Sequence, residues 1–551
     1  MIVTILTWAV IAASAYVSGA FLLTFTKNKN VQGISWYLPA GAAFLTVYAQ
    51  TFSLFYHVGA MAFLLLFVLC VLFLVLLRKR GFSFPKPQLT AEKAVFVLLI
   101  LLALAFWTAQ EPADSDTALY HAQAIRWIEE YGVVPGLGNL HCRFAYNSSF
   151  LCLQALFSFH WLGDGQSLHS VNGLACTLAV LYAVLSQSRK KRAYLSDFLK
   201  LAVLVYIYEQ RGSISSPNTD MLAMIMAWTI LVKWTELAEQ NVRDSAPYCV
   251  LGILSVYTMT LKLSCALIVL LALYPFVLLI RRRENRRLVL SLLSGMVCAL
   301  PWMARSVMIS GYLIYPLYQI DLFNVDWKMS KEITAYDNME IKVWGRGLRD
   351  IYKYDMPFTS WVKVWFSQES SLYKVLLVLA GIAFVLCVLS ILTGLVRRRM
   401  SPAMAAGLSG LLACSLMWMF SAPDVRYGKI YVLLLDAYLL YRIAGHFGTV
   451  TVLLIAIPLT AVLLSAVLVH DDGIFVQEAD YPHYAVTGST FEGQTLYLPA
   501  EGTQVSYEYF PTAPYPHLLD YIELRGDDIP DGFRFKDEYR DLQLRSSGDL
   551  W

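Results

Sequence analysis

Charged residues are scarce in this chain. Asp, Glu, Lys and Arg make up only 15% of its 551 residues, whereas 58% of the residues are hydrophobic. Apolar runs of roughly 20 residues, the length that crosses a bilayer as a helix, recur from the first residue onward. This balance excludes a string of soluble domains, and it predicts an all-α polytopic membrane protein.

A basic surface and a cysteine framework are also missing. The formal net charge is only +3, and the basic residues fall in short clusters between apolar runs, which argues against nucleic acid as a partner. No CxxC pair occurs among the nine cysteines, so we predict neither a disulfide framework nor a zinc site. The first apolar run has no basic residues before it, which predicts a retained helix rather than a cleaved signal peptide.

The basic clusters set the predicted topology, because short cytoplasmic loops carry an excess of Lys and Arg. Alternating the spans between them gives about 14 transmembrane segments with both termini outside. In a bacterial inner (cytoplasmic) membrane, the chain is then multi-pass with an extracytoplasmic tail. The clusters placed in the cytoplasm are Lys27/Lys29, Arg78–Arg80, Arg189–Arg192, Arg281–Arg287 and Arg397–Arg399.

This path divides the chain into regions of different character. The tail carries 16 acidic and 5 basic residues from Asp471 onward. Its Pro and Gly punctuation and alternating stretches such as GQTLYLP predict a small α/β or β-containing external domain, with a loosely ordered segment as the alternative. The predicted regions are an N-terminal three-span region (1–93), a core (94–320) whose first external loop (110–166) forms extracytoplasmic surface helices, a second large external loop (310–372), four C-terminal spans (373–469) and the tail (470–551).

Polar side chains collect on the predicted external side. Ionisable groups at this depth are costly unless they face a cavity, a partner or a bound ion. Six such groups on one face therefore predict an external cavity. They lie in EPADSDTALYH (111–121), VPGLGNLHCRFAYNSS (134–149), SISSPNTDM (213–221), TMTLKLS (258–264), PWMARSVMISGYLIYP (301–316) and SAPDVRYGK (421–429).

Two aspartates open the first of these segments. Asp116, Tyr120, Gln123 and Trp127 follow helical spacing, so they are expected on one face of a surface helix. Asp114 and Asp116 stand at its start, where a carboxylate can cap the helix. The alternative role is that of a general base, which takes a proton from a hydroxyl or amine nucleophile.

Cations in the other segments predict a phosphate site. Arg binds phosphate through a bidentate fork and Lys as a point charge. For Lys262 the alternative is snorkelling, and for Arg426 it is snorkelling or an ion pair with Asp424. The predicted phosphate-binding residues are Lys262, Arg305, Arg426 and Arg143, and the predicted substrate-binding residues are Tyr120, His121, His141, Asn147, Asp220 and Asp424.

No metal ligands are assigned. His121 and His141 could ligate a divalent cation together with the aspartates, but isolated histidines at an interface more often form hydrogen bonds. We therefore assign no cofactor, and a divalent cation stays an open alternative.

The first-loop pattern Asp116, Tyr120, Ala124, Gly132 and Pro135 resembles the GT-C superfamily of integral-membrane glycosyltransferases, which includes protein O-mannosyltransferases and aminoarabinose transferases. The segment PWMARSVMISGYLIYP resembles their Pro-x-x-x-Arg…Gly-x-x-x-x-Pro stretch. A closer resemblance is to bacterial multi-spanning proteins with DTxLYH, VPGLGNLH and APDxRY motifs. The resemblance implies a GT-C-like fold, a polyprenyl-phosphate sugar donor, and a first-loop aspartate, here Asp116 with Asp114 second, as the base.

The favoured hypothesis is therefore a membrane-embedded glycosyltransferase. It would move a sugar from a lipid-linked donor to an envelope glycan, lipid or protein acceptor on the external face, in contact with membrane lipid. The alternatives are a transporter or flippase of a lipid-linked or anionic solute, for which broken helices also suit a binding site, an envelope polysaccharide polymerase or ligase, and a structural scaffold.

Overall fold

The structure of the chain is a computed structural model. It describes residues 1–84, 90–162, 165–187, 193–448 and 478–539, together with 452, 455–458, 460–461 and 464. The predicted cytoplasmic cluster Arg189–Arg192, the end of the last predicted span near Val469 and the chain from 540 onward lie outside the described residues.

The described chain is mostly helical, as predicted. Its first nine α-helices begin and end as follows: α1 Ile2–Thr24, α2 Ile34–Ser53, α3 Ala60–Lys79, α4 Ala91–Thr108, α5 Ala122–Glu130, α6 Leu137–Leu140, α7 Ser149–Leu156, α8 Val171–Leu185 and α9 Leu195–Glu209. A short connection that contains His57 and Gly59 separates α2 from α3.

The second half of the bundle contains the longest helices. They are α10 Thr219–Glu239, α11 Ser245–Leu261, α12 Leu273–Arg282, α13 Asn285–Ser310, α14 Lys331–Gly345, α15 Phe358–Gln368, α16 Ser371–Val396, α17 Pro402–Ser421 and α18 Val425–Ala444. A 3-10 segment, Leu263–Ala272, leads directly into α12.

Eight helices among the described residues are long and apolar enough to cross a membrane. The count of fourteen spans stays a prediction. Leucine and valine side chains are exposed along much of α3, α13 and α16, as expected for helices that face lipid, whereas nearly every residue of α10 is buried. The helix α10 is therefore a central element, and its first turn lies at the candidate site. The eight helices are Ile2–Thr24, Ala60–Lys79, Ala91–Thr108, Thr219–Glu239, Leu263–Arg282, Asn285–Ser310, Ser371–Val396 and Pro402–Ser421.

The helices α1 and α2 pack backbone to backbone. A Cβ atom on Gly19 would lie 1.8 Å from the carbonyl oxygen of Tyr37, and one on Gly41 would lie 1.8 Å from that of Ala15. Only a hydrogen atom fits at either position, so the pair of glycines sets the distance between the first two helices.

The loop predicted to be the first external one (110–166) differs from the regular surface helix that was predicted for it. A π turn over Thr117–His121 interrupts the helical spacing between Asp116 and Trp127. Such turns insert extra residues into a helix and are frequent at functional sites. Most of α5 and all of α7 are buried rather than exposed at a surface. The C-terminal tail contacts α5 through Gln123, whereas α7 packs among α2, α5, α10 and α11.

The tail is confirmed as a small β-containing region. The strands β1 Val486–Phe491 and β2 Gln494–Pro499 form an antiparallel hairpin, and β3 Ile522–Leu524 pairs with β4 Phe533–Phe535. Glu492 and Gly493 have positive φ angles and turn the hairpin.

The tail is bound to the first loop by several hydrogen bonds. Gln123 donates to the carbonyl oxygens of Ser506 and Tyr509, both at 2.8 Å, and the N–H of Val505 donates to Ala118 at 3.0 Å. The tail therefore lies at the same end of the bundle as the first loop.

Glu129 is a buried carboxyl at this interface. It accepts hydrogen bonds from the hydroxyls of Tyr507 at 2.5 Å and Ser167 at 3.3 Å. Burial raises its pKa from 4.5 to about 7, although the hydroxyl donors oppose the shift. The folded protein therefore holds this proton at pH values where the unfolded chain releases it.

We expect Gly41→Val to lower the thermal stability of the purified protein in detergent, because overpacking a tight contact costs about 1–3 kcal/mol. Gly381→Val is the matched control, since nothing lies within 4 Å of a Cβ at that position in α16. Equal melting temperatures for the two variants would contradict the close contact between α1 and α2.

Glu129 should make the stability fall as the pH rises from about 4.5 to about 7, because over this range the native state binds more protons than the unfolded state. Glu129→Gln should flatten the slope, whereas Glu130→Gln, which changes an exposed neighbour, should retain it. The measurement is thermal unfolding across this pH range, and an unchanged slope in Glu129→Gln would refute the assignment.

Candidate active site

Six charged side chains from distant parts of the chain meet at one end of the bundle. Three are carboxylates and three are cations. They are Asp114 and Asp116 between α4 and α5, Arg143 in the 3-10 segment Cys142–Tyr146, Asp220 in the first turn of α10, Lys262 directly after α11 and Arg426 in the first turn of α18. We call this set the charged cluster.

Arg426 lies at the centre of the charged cluster. Its Nη1 is 2.9 Å from Oδ2 of Asp116 and 3.7 Å from Oδ1 of Asp114. Its Nε is 3.6 Å from Oδ2 of Asp220. One guanidinium thus joins all three carboxylates.

The other two cations complete the charge balance. Nη1 of Arg143 is 3.5 Å from Oδ1 of Asp116, and Lys262 forms an ion pair with Asp220. Tyr427 connects the cations, because its hydroxyl accepts a hydrogen bond from Arg426 at 2.9 Å and its ring centre is 4.4 Å from Nζ of Lys262.

Helix termini bring these residues into place. Asp424 accepts the backbone N–H of Arg426 at 2.8 Å and caps α18, so it is not the ion-pair partner of the Arg426 side chain that one alternative predicted. Asn218, two residues before Asp220, caps α10 by accepting the N–H of Met221. Lys262 has an extended backbone that ends α11.

The two first-loop aspartates have different roles. Asp114 accepts the N–H of Asp116 at 3.2 Å, which is the capping interaction that the sequence predicted for this position. The side chain of Asp116 makes no cap and binds Arg426 and Arg143 instead. The N–H of Asp114 is held by Ser216 at 2.9 Å.

Their pKa values move in opposite directions. Burial, and then repulsion by Asp116, raise the pKa of Asp114. Burial by itself would raise the pKa of Asp116 as well, but the positive charge facing it, from His121 when protonated and from Arg426 and Arg143, lowers it. Asp116 is therefore the more firmly ionised carboxylate.

The carboxylates lie deeper than the cations. The side chains of Asp220, Asp114 and Asp116 are 8%, 9% and 13% exposed. Those of Lys262, Arg143 and Arg426 are 22%, 26% and 34% exposed. An anion approaching from outside would meet the cations first.

His121 is buried beside the charged cluster. Neither ring nitrogen has a hydrogen-bond partner among the described residues. Burial lowers its pKa from 6.5 to about 4, so the ring is neutral at pH 7. An unpaired buried imidazole costs stability, and a substrate hydroxyl could satisfy it.

Four other predicted site residues take different positions. Arg305 of α13 donates to the hydroxyl of Ser53 at 2.5 Å and to the carbonyl of Gly132 at 3.3 Å. It therefore connects α13 to the end of α2 and to the turn after α5, and it does not belong to the charged cluster.

Asn147 and Trp302 exchange two hydrogen bonds of 2.8 Å between side chain and backbone, which fixes the loop to α13. His141 is buried against the rings of Phe144 and Tyr515. Tyr120 is buried with its ring centre 5.9 Å from Cζ of Arg143, so it lines the inner side of the site.

The structure adds residues that the sequence analysis missed. Asp337 of α14 is fully buried and accepts hydrogen bonds from Tyr146 at 2.9 Å and Tyr315 at 3.0 Å. This network supports the segment that carries Arg143. Tyr427 lies inside the segment SAPDVRYGK, but nothing in the sequence distinguishes a site tyrosine beside an arginine from an aromatic residue that only packs in the core.

Within the described ranges, no group of three or more His, Cys, Asp or Glu side chains is placed to hold a metal ion. The carboxylates of the charged cluster are turned toward Arg and Lys instead.

A family model described as a domain of unknown function (DUF8201) matches residues 1–433, and the chain belongs to this family. The match contains all six residues of the charged cluster and ends before the β-containing tail. No curated protein matches the chain.

Asp114→Asn and Asp116→Asn should differ in stability at pH 7. Asp116→Asn should lose about 2 kcal/mol, the scale of a charge-assisted hydrogen bond, whereas Asp114→Asn should be neutral or stabilising, because it removes a repelled and buried charge. The loss in Asp116→Asn should fade as the pH falls below 3.8, where even an unperturbed aspartate is protonated. Thermal unfolding of both variants checks this, and the reverse order would contradict the assigned pairing.

Proposed function

We propose that this chain is a GT-C-type glycosyltransferase, which moves a sugar from a polyprenyl-phosphate donor to an acceptor at the external face of the membrane. The observation that carries the proposal is the charged cluster. Three cations lie at one end of the helical bundle, and their side chains are more exposed than those of their carboxylate partners.

The cations suit a lipid phosphate. Arg426 and Arg143 offer several N–H donors, and Lys262 adds a point charge. Because each is already held by a carboxylate, the donors are oriented before the ligand arrives, and little reorganisation is needed when charge develops on the leaving phosphate.

Binding of the donor would also activate the base. A phosphate oxygen that takes the place of Asp116 on Arg426 or Arg143 removes the charges that lower the pKa of Asp116 and adds a negative charge nearby. Both changes raise its pKa, so the carboxylate accepts a proton more readily once the donor is in place.

The proposed reaction is an inverting displacement. The acceptor hydroxyl or amine forms a bond to the anomeric carbon and gives its proton to Asp116. The bond from that carbon to the phosphate oxygen breaks, and its electron pair leaves on the polyprenyl phosphate beside the cations. Tyr120 and the neutral His121 would contact sugar hydroxyls.

Asp116→Asn should lower sugar transfer by about 10²-fold or more, the usual size of a lost general base. Asp114→Asn, which keeps an acceptor for the N–H of Asp116, should lose less. The assay uses purified protein with short-chain polyprenyl-phosphate mannose and aminoarabinose and measures sugar release.

Arg426→Gln should raise the donor KM as well as lower the rate, because it removes a phosphate contact.

Lys429→Gln is the matched control for Arg426. Lys429 lies three residues after Arg426 in α18 but pairs with Glu209 at 2.9 Å, outside the charged cluster. A larger loss in Asp114→Asn than in Asp116→Asn would move the base to Asp114. Full activity of Asp116→Asn and Asp114→Asn would refute the proposed chemistry.

A transporter or flippase is the second candidate, and Asp436 is the observation that favours it. Asp436 lies ten residues, about 15 Å, along α18 from Arg426. Both of its carboxyl oxygens are buried without a hydrogen-bond partner among the described residues. The predicted topology makes this part of the chain one of the C-terminal spans, and ionisable groups inside a span often mark ion or proton pathways. Solute uptake into proteoliposomes that is abolished by Asp436→Asn, without donor turnover, would favour this function.

A further inference from the structure

A cavity of about 570 Å³ lies at the opposite end of the bundle from the charged cluster. The helices α10 and α18 begin at the charged cluster with Asp220 and Arg426, and their last turns carry Glu239 and Arg442, which line the cavity. From Arg426 to Arg442 the helix rises about 24 Å. The cavity is therefore a separate place, and it has no part in the proposed transfer.

One wall of the cavity is polar. Nη1 of Arg442 donates to Oγ of Ser390 at 2.6 Å and to the hydroxyl of Tyr438 at 3.2 Å. Tyr438 in turn donates to Ser390 at 2.8 Å. These neutral groups hold the guanidinium in place but leave its charge uncompensated, and no carboxylate of the described residues pairs with it.

The arginines of the charged cluster differ in this respect. Arg426 and Arg143 each have a carboxylate within 3.5 Å. Hydrogen bonds also fix the guanidinium of Arg442, but its partners there are the hydroxyl groups of Ser390 and Tyr438. An oriented guanidinium without a counter-charge is suited to an external anion.

Glu239 is the one acidic residue of the lining, and it is already engaged. It accepts hydrogen bonds from the N–H of Leu195 and the hydroxyl of Ser196, both at 2.6 Å. These groups belong to the first turn of α9, whose positive end favours a carboxylate. Glu239 thus serves the helix terminus and leaves the charge of Arg442 free for a ligand.

The remaining wall is apolar. Met400, Met404 and Leu408 of the segment that begins α17 line it. Methionine side chains adapt to flexible apolar groups. A cavity of this size accommodates a small amphiphile, with one charged contact and an apolar wall on the other side.

We propose that this cavity binds a phosphate group carried by a membrane lipid, with the phosphate on Arg442 and the first part of the lipid chain against Met400 and Met404. Free phosphate shares the headgroup chemistry, and only a lipid makes use of the methionine wall. The site is independent of the proposed transfer reaction at the charged cluster.

The test is binding of dihexanoyl phosphatidic acid to the full-length protein in a non-ionic detergent, followed by native mass spectrometry. Inorganic phosphate and dihexanoylglycerol are separate arms that carry only the charge or only the chains. We expect phosphatidic acid to bind the wild type, and Arg442→Gln to weaken binding at least about tenfold, as expected for a lost charge-assisted contact.

Two further variants make the outcome decisive. Met404→Trp fills the apolar wall and keeps Arg442, so it should also weaken binding of the lipid. Arg397→Gln removes an exposed arginine at the end of α16, near the same end of the bundle but outside the cavity, and should leave binding unchanged. Melting temperatures confirm that each variant is folded.

Equal binding by the wild type and Arg442→Gln would overturn the proposal. So would a loss in Arg442→Gln that Arg397→Gln reproduces, because the arginines would then act only as a general positive surface. Inorganic phosphate that binds as tightly as the lipid, with no effect of Met404→Trp, would assign the site to free phosphate and overturn the lipid part.

Discussion

Compensation of buried charge is the constraint on which the site depends. In a medium of low dielectric constant, a carboxylate without a partner is costly, and so is an unpaired guanidinium. The charged cluster meets this constraint with three carboxylates and three cations that come from positions 114 to 426. Three helices end or begin there, because a helix terminus is the place where a short side chain can reach the centre without crossing the bundle.

The same constraint makes anion exchange at the site possible. A charged cluster that is neutral as a whole can exchange one anion for another with little change in total charge. A phosphate can therefore replace a carboxylate on Arg426, provided that the released carboxylate finds a proton. An acceptor hydroxyl supplies that proton in the proposed transfer. The ion pairs of the free protein would then be part of the reaction and not only of the stability.

The sequence was informative where a single segment decides the outcome. Apolar runs predicted the long helices of the bundle, and turn residues with alternating stretches predicted the β-containing tail. The segments that carry Asp116, Lys262 and Arg426 were also recognised, because charge beside an apolar run is conspicuous. The π turn was not predicted, since the spacing of Asp116, Tyr120 and Trp127 fits a regular helix, and the tail residue that bonds to the turn, Val505, is distant in the chain. Arg305 was misplaced for a similar reason: its partner Ser53 lies 252 positions away and gives no local signal.

The tail is connected to the site through the π turn. Val505 donates to the carbonyl of Ala118, which lies two residues after Asp116 and three before His121. Gln123 and Glu129 bind the same part of the tail about one and three turns further along. The stretch of the tail between its two strand pairs is thus hydrogen-bonded directly to the segment that follows the proposed base.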